Sequence, residues 1–283
     1  MEDPIMPTPI HYSASEANPT RGFVYVATGK KYVDEAALSA ESLRRFHPEP
    51  ICLITNAPTD HTVFDQVIIQ DHLPNTVASK LAMDACPYDR FVFLDSDTYI
   101  VAPLDELFQL LDVFDIGVPP ALGGFHYDLP GVSPAFREPM TNVIAMRRSP
   151  ALMNFFEKWR QYFSEYESIM GREWDQRSFR HAAYATEQLR ITFLGDEWSL
   201  SPYPGGLLCR DVRIFHGRPR ELLYEMEKMV NGRLGYRVFW KGFGCIYEPY
   251  KMQPIEHLRV LLRSLVQSAK ATIRPLRNAM ASR

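Results

Sequence analysis

Short runs of apolar residues alternate with amphipathic stretches along most of this 283-residue chain. The first run, residues 22–29 (GFVYVATG), is rich in β-branched and aromatic side chains and predicts a buried strand. A stretch with helical spacing follows at 32–48, and strand-like runs return at 50–56 and 64–70. Strand, helix, strand is the order of a βαβ unit, which feeds a parallel sheet.

The first predicted helix has a start and a stop in the sequence. Asp34 is a suitable N-cap, and the helix should end before Pro48, because the residue preceding a proline resists the α conformation. The residues expected on its apolar face are Ala37, Leu38, Ala40 and Leu43.

The alternation continues and predicts an α/β domain. Ser149 and Pro150 are placed to act as N-cap and first residue of a long helix. Helices are predicted at 79–86, 103–111, 150–163 and 175–185, and strands at 89–94, 114–119, 141–146, 190–194 and 212–215. We therefore expect one α/β domain over residues 21–250, a flexible proline-containing leader at 1–20 and a separate tail at 251–283.

The tail predicts a basic amphipathic helix. No acidic residue occurs from His257 to Arg283. Its basic residues are Arg259, Arg263, Lys270, Arg274 and Arg277, and its apolar ones include Leu258, Leu261, Leu262, Leu265, Ala269 and Ile273. Such a helix could lie on an anionic membrane surface, pack on the domain or join two copies of a homo-oligomer, and the sequence leaves these alternatives open.

Composition narrows the class of protein. Hydrophobic residues make up 46% and charged residues 23%, and the net charge of −3 gives no indication of a nucleic-acid partner. Four cysteines stand far apart without a CxxC pair, which argues against a zinc ribbon or a disulfide framework. We find neither a signal-peptide pattern nor a membrane-spanning apolar run, and we expect a cytoplasmic protein, with the inner face of a membrane as an option.

Two carboxylates mark the end of the predicted strand 89–94. Asp95 and Asp97 stand two residues apart there, and ligands of open α/β sheets bind at the carboxyl ends of strands. Paired carboxylates suit a hard divalent cation, which can also bridge phosphate oxygens. The pattern indicates a site for a metal ion and a phosphorylated ligand.

The segment around these carboxylates, residues 91–108 (FVFLDSDTYIVAPLDELF), resembles the nucleotide-diphospho-sugar transferases of the GT-A fold. It is most similar to retaining glycosyltransferases of the glycogenin and lipopolysaccharide galactosyltransferase type (family 8-like), and the resemblance extends from Gly22 to about Pro219. It implies a Rossmann-like GT-A domain that uses Mn2+ or Mg2+ and a UDP-sugar donor. The implied reaction is hexose transfer to an acceptor hydroxyl with retention of anomeric configuration.

The resemblance also implies roles for residues in the first half of the chain. Thr28 and Tyr32 would line the uracil pocket, and an aromatic ring there also offers a stacking face for a base. Lys80 would lie near the phosphates or the donor sugar, and Asp95 and Ser96 would belong to the donor-binding set. From the residues alone, Tyr32 could equally be a core aromatic and Lys80 an exposed lysine.

Further roles fall in the second half. Asp175 and Gln176 would contact the donor sugar as the catalytic pair, with the carboxylate facing the reacting centre, and Asn142 would reach the same sugar. As a plain helix N-cap, Asp175 would look the same. His216 would complete the metal site, and Arg218 would meet the diphosphate, although a lone histidine at a strand end is by default structural.

The sequence departs from the family in two places, and other classes stay open. Met140 precedes Thr141 and Asn142 where a small turn residue is usual, and the histidine motif is reduced to HGRP at 216–219.

A phosphatase of the haloacid dehalogenase type also carries DxD, but Tyr99 stands where it expects Thr or Val. A sugar-nucleotide-forming nucleotidyltransferase and a non-catalytic glycan-binding relative remain alternatives. Residues 121–131, rich in Gly and Pro, are the candidate acceptor loop.

Overall fold

A central seven-stranded sheet organises the protein, which is represented by a computed structural model. It describes residues 20–74, 76–121, 127–170, 175–203, 205–232, 235–240 and 244–247 and positions 258, 259, 262, 265 and 266. In chain order the strands are β1 (Arg21–Val26), β2 (Ile51–Thr55), β3 (Gln66–Ile69), β4 (Arg90–Leu94), β5 (Thr98–Ile100), β6 (Ile116–Val118), β7 (Val143–Arg147), β8 (Ile191–Phe193), β9 (Gly206–Leu208), β10 (Ile214–His216), β11 (Arg237–Trp240) and β12 (Gly244–Tyr247). The α-helices are α1 (Lys30–Arg44), α2 (Asp105–Leu110), α3 (Pro150–Met170), α4 (Asp175–Ala185) and α5 (Arg220–Val230).

The order of strands in this sheet is β3-β2-β1-β4-β7-β6-β8. The first four run parallel, β6 and β8 are also parallel, and β7 runs antiparallel to both of its neighbours. Nearly every residue of β1, β2 and β4 is buried, which is why these strands are apolar on both faces. The predicted α/β class with a mostly parallel sheet is confirmed.

Helices cover both faces of the sheet and create two cores. Phe23 and Tyr25 of β1 pack on the side of α1 and α2, where Phe108 meets the Phe23 ring edge-on. Val24, the residue between them, points to the other side, where α3 and α4 contribute Trp159 and Phe179. The period-two alternation of β1 thus feeds two apolar layers.

The start of helix α1 differs from the prediction. The helix begins at Lys30 after Gly29, whose φ of 73° is readily adopted only by glycine, so Asp34 is not the N-cap. Asp34 lies inside the helix, where its carboxylate accepts hydrogen bonds from Lys30 and His61. Leu38 is exposed, while the other three predicted core residues of this helix are buried.

Other helix predictions agree more closely. Ser149 accepts a hydrogen bond from the backbone of Leu152, and helix α3 begins at Pro150, as the N-cap pattern predicted. Helix α4 has the predicted bounds. The segment predicted as a helix at 79–86 is instead a 3-10 helical segment, Val77–Ala85.

Two small sheets were not predicted. Strand β5 follows the DxD motif at once and pairs antiparallel with β10, while β12, β11 and β9 form a second antiparallel sheet. Of these strands only β10 overlaps a predicted one, 212–215; the others have three or four residues each, too few for a periodic pattern to stand out.

Most of the leader and tail lies outside the described residues. In the tail, the five described positions are helical, and Leu258, Leu262, Leu265 and Val266 each expose more than half of their surface. Among the described residues, none of the helices combines the length and the apolar character that crossing a membrane requires. The prediction of three segments at 1–20, 21–250 and 251–283 stays a prediction.

Candidate donor-binding and metal site

The carboxyl ends of β1 and β4 build the site. These two strands are parallel neighbours, so the chain leaves both at the same edge of the sheet, towards Thr28 and Asp95. The antiparallel pair β5–β10 then sets His216 opposite Thr98, and the Gly217 backbone donates a hydrogen bond to the carbonyl of Asp97 at 3.1 Å. A pairing across more than a hundred residues of sequence therefore carries the histidine to the DxD motif.

Asp95, Asp97 and His216 form the candidate metal centre. Their ligand atoms all lie within 4.8 Å of one another. His216 Nε2 is 3.1 Å from Asp97 Oδ1 and 3.8 Å from Asp95 Oδ2. Two carboxylates and one imidazole are a donor set that fits Mn2+ or Mg2+. Within the described residues the buried His216 Nδ1 has no hydrogen-bond partner, whereas Nε2 faces the carboxylates.

The two aspartates respond differently to their surroundings. Burial disfavours the charged form of Asp97, but its contacts with His216 and Arg218 outweigh burial and lower its pKa to about 2. Ionised Asp97 therefore contributes stability above its ordinary pKa of 3.8, and this contribution is lost as the pH falls towards about 2. At Asp95 burial dominates and raises the pKa, despite attraction by Lys80 and His216.

Lys80 links the metal centre to Asp175. Its Nζ lies 2.9 Å from Asp95 Oδ2 and 3.3 Å from Asp175 Oδ2, and it donates to the carbonyl of Thr141 at 3.2 Å. Burial alone would lower the pKa of this ammonium, but the charges of Asp95 and Asp175 outweigh burial and raise it. Lys80 is thus a fixed positive charge at the edge of the sheet.

Arg218 and Ser96 meet at a residue that the sequence did not indicate. Arg218 forms an ion pair with Asp97 at 2.8 Å and a two-pronged ion pair with Glu35 of helix α1, to which Ser96 also donates. Glu35 was missed because an acidic residue on an amphipathic helix ordinarily indicates a solvated face.

A cleft of about 380 Å³ connects these groups. Thr28 and Tyr32 lie on its wall, and the Thr28 hydroxyl donates to the carbonyl of Pro74 at 3.1 Å. Tyr32 is 40% exposed and carries the Arg218 guanidinium 5.7 Å from its ring centroid, so it is not a core aromatic. The lining residues are Val26, Ala27, Thr28, Tyr32, Thr76, Val77, Ser79, Lys80, Asp95, Ser96, Asp97, His216 and Arg218.

The remaining predicted residues lie beside this cleft rather than on its wall. Asp175 accepts a hydrogen bond from the Thr141 hydroxyl at 2.6 Å and reaches the cleft through Lys80. The buried Asn142 donates to Ser199 at 2.7 Å, and its backbone carbonyl accepts the amide of Asp95. Gln176 Nε2 lies 3.2 Å from the sulfur of Met140.

One other cluster of potential metal ligands occurs among the described residues: His47, Glu49 and Asp105. His47 Nδ1 is 3.1 Å from Glu49 Oε2, and Nε2 accepts the backbone amide of Leu104 at 2.7 Å. Both ring nitrogens are thus engaged, and the histidine joins the start of α2 to the chain before β2.

The sequence and the structure were compared with known proteins, and only the structural comparison found matches. No protein-family model and no curated protein matches the sequence. The solved glycosyltransferase GlyE of Streptococcus pneumoniae superposes with a TM-score of 0.51 and 13% identity over 72% of this chain and 60% of that one. The galactosyltransferase LgtC, solved with donor and acceptor sugar analogues, gives 0.50 and 11% over 75% and 97%.

The chain therefore has the fold of GT-A glycosyltransferases, which confirms the fold that the DxD segment implied. At these identities the likeness concerns the fold, and the chemistry of the chain depends on its own residues.

Proposed function

We propose that this protein is a metal-dependent glycosyltransferase that moves a hexose from a UDP-sugar to an acceptor hydroxyl, with retention of anomeric configuration. The observation that carries the proposal is the convergence of Asp95, Asp97 and His216 on one cleft that also contains Thr28 and Tyr32. A cation site suits the diphosphate of a nucleoside diphosphate, and an aromatic side chain in the same cleft suits its base. The shared fold with solved glycosyltransferases supports the same class.

Two groups of residues in the cleft contribute to donor binding. Tyr32 offers a stacking face for the base, and Thr28 a hydrogen-bonding group beside it. Asp95, Asp97 and His216 would hold Mn2+ or Mg2+, which when bound neutralises charge on the diphosphate leaving group.

Two fixed cations complete this electrostatic arrangement. Arg218 and Lys80 stand on either side of the aspartate pair and add positive charge where the leaving group becomes negative. Lys80 contacts both Asp175 and Asp95 of the proposed metal centre, so Asp175 lies close to that centre. This position suits a carboxylate that faces the donor sugar. In this proposal Asp175 and Gln176 form the catalytic pair at the donor sugar, and Asn142 contacts the same sugar.

The proposal predicts that UDP stabilises the protein more strongly when a divalent cation is present. With UDP at about 100 times its Kd in Mn2+, binding to the folded state should add about 2.7 kcal/mol of stability. The measurement is a thermal-unfolding series with UDP, with Mn2+, with both, and with both plus excess EDTA. Because the metal and the diphosphate share one site, each alone should give a smaller shift than the two together.

A panel of nucleotides controls this experiment. ADP and GDP at the same concentration test whether the response belongs to uridine or to any diphosphate. Equal stabilisation by UDP with and without metal would contradict the metal-dependent proposal, and no response to any nucleotide would contradict the donor site itself. With an active donor and acceptor pair, NMR of the anomeric proton of the product decides retention.

We also propose that the tail contacts an anionic membrane surface on the cytoplasmic side. Leu258, Leu262 and Leu265 lie at helical spacing and are exposed, and Arg259 stands among them. Exposed apolar side chains with basic neighbours are the pattern of an interfacial helix.

This proposal predicts binding to vesicles that contain phosphatidylserine and weaker binding to neutral phosphatidylcholine vesicles. In cosedimentation, the full-length protein should lose most of its binding at high salt and in the variant Leu262→Glu, because both the charge attraction and the apolar contact are needed. Equal binding to neutral vesicles, or none to either kind, would contradict it. A concentration-dependent increase in mass without vesicles would favour an oligomer contact instead.

A further inference from the structure

Glu35 connects three segments of the site. Its Oε2 accepts hydrogen bonds from Ser96 Oγ at 2.7 Å and from Arg218 Nη2 at 2.5 Å, and its Oε1 accepts one from Arg218 Nε at 2.7 Å. One carboxylate of helix α1 therefore joins the DxD motif to the loop after β10. Those two segments are separated by more than a hundred residues of sequence.

The main consequence concerns the orientation of Arg218. Its side chain is 49% exposed, and a long exposed side chain loses rotamer entropy when a ligand fixes it. The paired contacts with Glu35, the ion pair of Nη1 with Asp97 at 2.8 Å and the Tyr32 ring below hold the guanidinium in one place beforehand.

The same contacts leave donors for a ligand. A guanidinium has five N–H groups, and the hydrogen bonds to Glu35 use two of them within the described part of the chain, while Nη1 forms an ion pair with Asp97. N–H groups on both terminal nitrogens remain, and a guanidinium can bind phosphate oxygens through two such groups at once.

We propose that Glu35 is a positioning residue that holds Arg218 in the orientation needed to bind the diphosphate of the donor. The inference rests on the proposed function, because it concerns the same cleft. Glu35 is itself negative and by charge alone repels a diphosphate. If Glu35 acted only through its charge, removing that charge would strengthen UDP binding. If Glu35 positions Arg218, removing the charge weakens UDP binding.

The first test is the isosteric variant Glu35→Gln, which keeps the shape of the side chain. It retains one oxygen for Ser96 or Arg218 and loses the two-pronged ion pair. Calorimetric titration with UDP in saturating Mn2+ should show an affinity about five- to tenfold weaker, because binding then has to order the Arg218 side chain. Titration with Mn2+ alone should change by less than about twofold, since the three ligands are untouched.

The second test asks whether Glu35 acts through Arg218. UDP affinity is measured for Glu35→Gln, for Arg218→Ala and for the double variant. If Glu35 only positions Arg218, its replacement in the Arg218→Ala background should cause no further loss, and the removal of a negative charge could restore some affinity. An equal five- to tenfold loss in both backgrounds overturns the proposal.

Asp34 provides a matched control on the same helix. Its carboxylate pairs with Lys30 and His61, away from the metal centre, so Asp34→Asn should keep the UDP affinity of the unchanged protein. Unchanged or tighter UDP binding by Glu35→Gln overturns the positioning role alone. Failure of the unchanged protein to bind UDP in Mn2+ overturns the proposed function, and the positioning role with it.

Discussion

Replacing Asp97 with asparagine is expected to lower the proposed metal-dependent glycosyl transfer by about 100-fold or more, while the protein still folds. Removing one electrostatic stabiliser of a developing charge typically costs 10²–10³ in rate. Asp97 contacts both a proposed metal ligand and a proposed phosphate-binding residue. His216 Nε2 lies 3.1 Å from its Oδ1, and Arg218 Nη1 lies 2.8 Å from its Oδ2. Asparagine keeps the size of the side chain but lacks the charge that holds a cation.

Because Asp97 is buried and ionised, its replacement by asparagine removes a charge from the centre of the site. Its side chain is 8% exposed, and its pKa of about 2 keeps it ionised at neutral pH. The backbone carbonyl of Asp97, which accepts the amide of Gly217, is unaffected by the change, so the β5–β10 pairing should persist.

Binding of Mn2+ is the direct readout and does not require a known acceptor. The spectrum of free Mn2+ by electron paramagnetic resonance should show uptake by the unchanged protein and at least tenfold weaker uptake by Asp97→Asn. Asp196→Asn is a matched control, because Asp196 follows β8 at the same edge of the sheet but does not line the cleft. Equal Mn2+ binding by both variants would contradict the assignment of the metal site.

Replacing Arg180 with methionine is expected to lower the free energy of unfolding by about 3–5 kcal/mol, the range for breaking a buried ion pair on one side. Arg180 is fully buried in helix α4 and donates to the carbonyls of Tyr127, Ser133 and Phe136 at 2.6, 3.0 and 2.9 Å. Its Nη1 is also 3.4 Å from Glu138, whose pKa is raised by burial.

The physical reason is the number of groups that one guanidinium satisfies. Without Arg180, three carbonyls of the 127–136 loop lose a donor, and Glu138 loses its ion pair in a buried place. The double variant Arg180→Met, Glu138→Gln should recover part of the loss, because it removes the buried charge but not the orphaned carbonyls.

Urea or guanidinium unfolding measures both variants, and Arg160→Met is the control. Arg160 lies on the neighbouring helix α3 and pairs with Asp84 at the surface, so its replacement should cost less than about 1 kcal/mol. Similar losses for Arg160→Met and Arg180→Met would contradict the account. Because Asp175 begins the helix that carries Arg180, the loop and the site share this support.

Much of the fold could be predicted because its strongest elements are long or fully buried. β1, β2 and β4 are continuous apolar runs, α3 begins where its capping pattern places it, and α4 has the predicted bounds. The helix start at Asp34 was wrong because Gly29, with positive φ, begins α1 one turn earlier.

Some contacts between segments that are distant in sequence could not be predicted from the sequence. Glu35 and Thr141 carry no local pattern, yet one holds Arg218 and the other donates to Asp175. Arg180 reads as one more polar residue of an amphipathic helix, and only packing shows that it is buried.

The sequence by itself determined the α/β class and the position of Asp95 and Asp97 at the end of a buried strand, because both follow from local periodicity. The resemblance named His216, Lys80 and Arg218 as their partners, but only the tertiary structure brings these groups to the aspartates. His216 meets the aspartates because the short strand β10 pairs with β5. Pairing between strands distant in sequence depends on the whole packed domain, and a three-residue strand carries too few side chains to encode its partner.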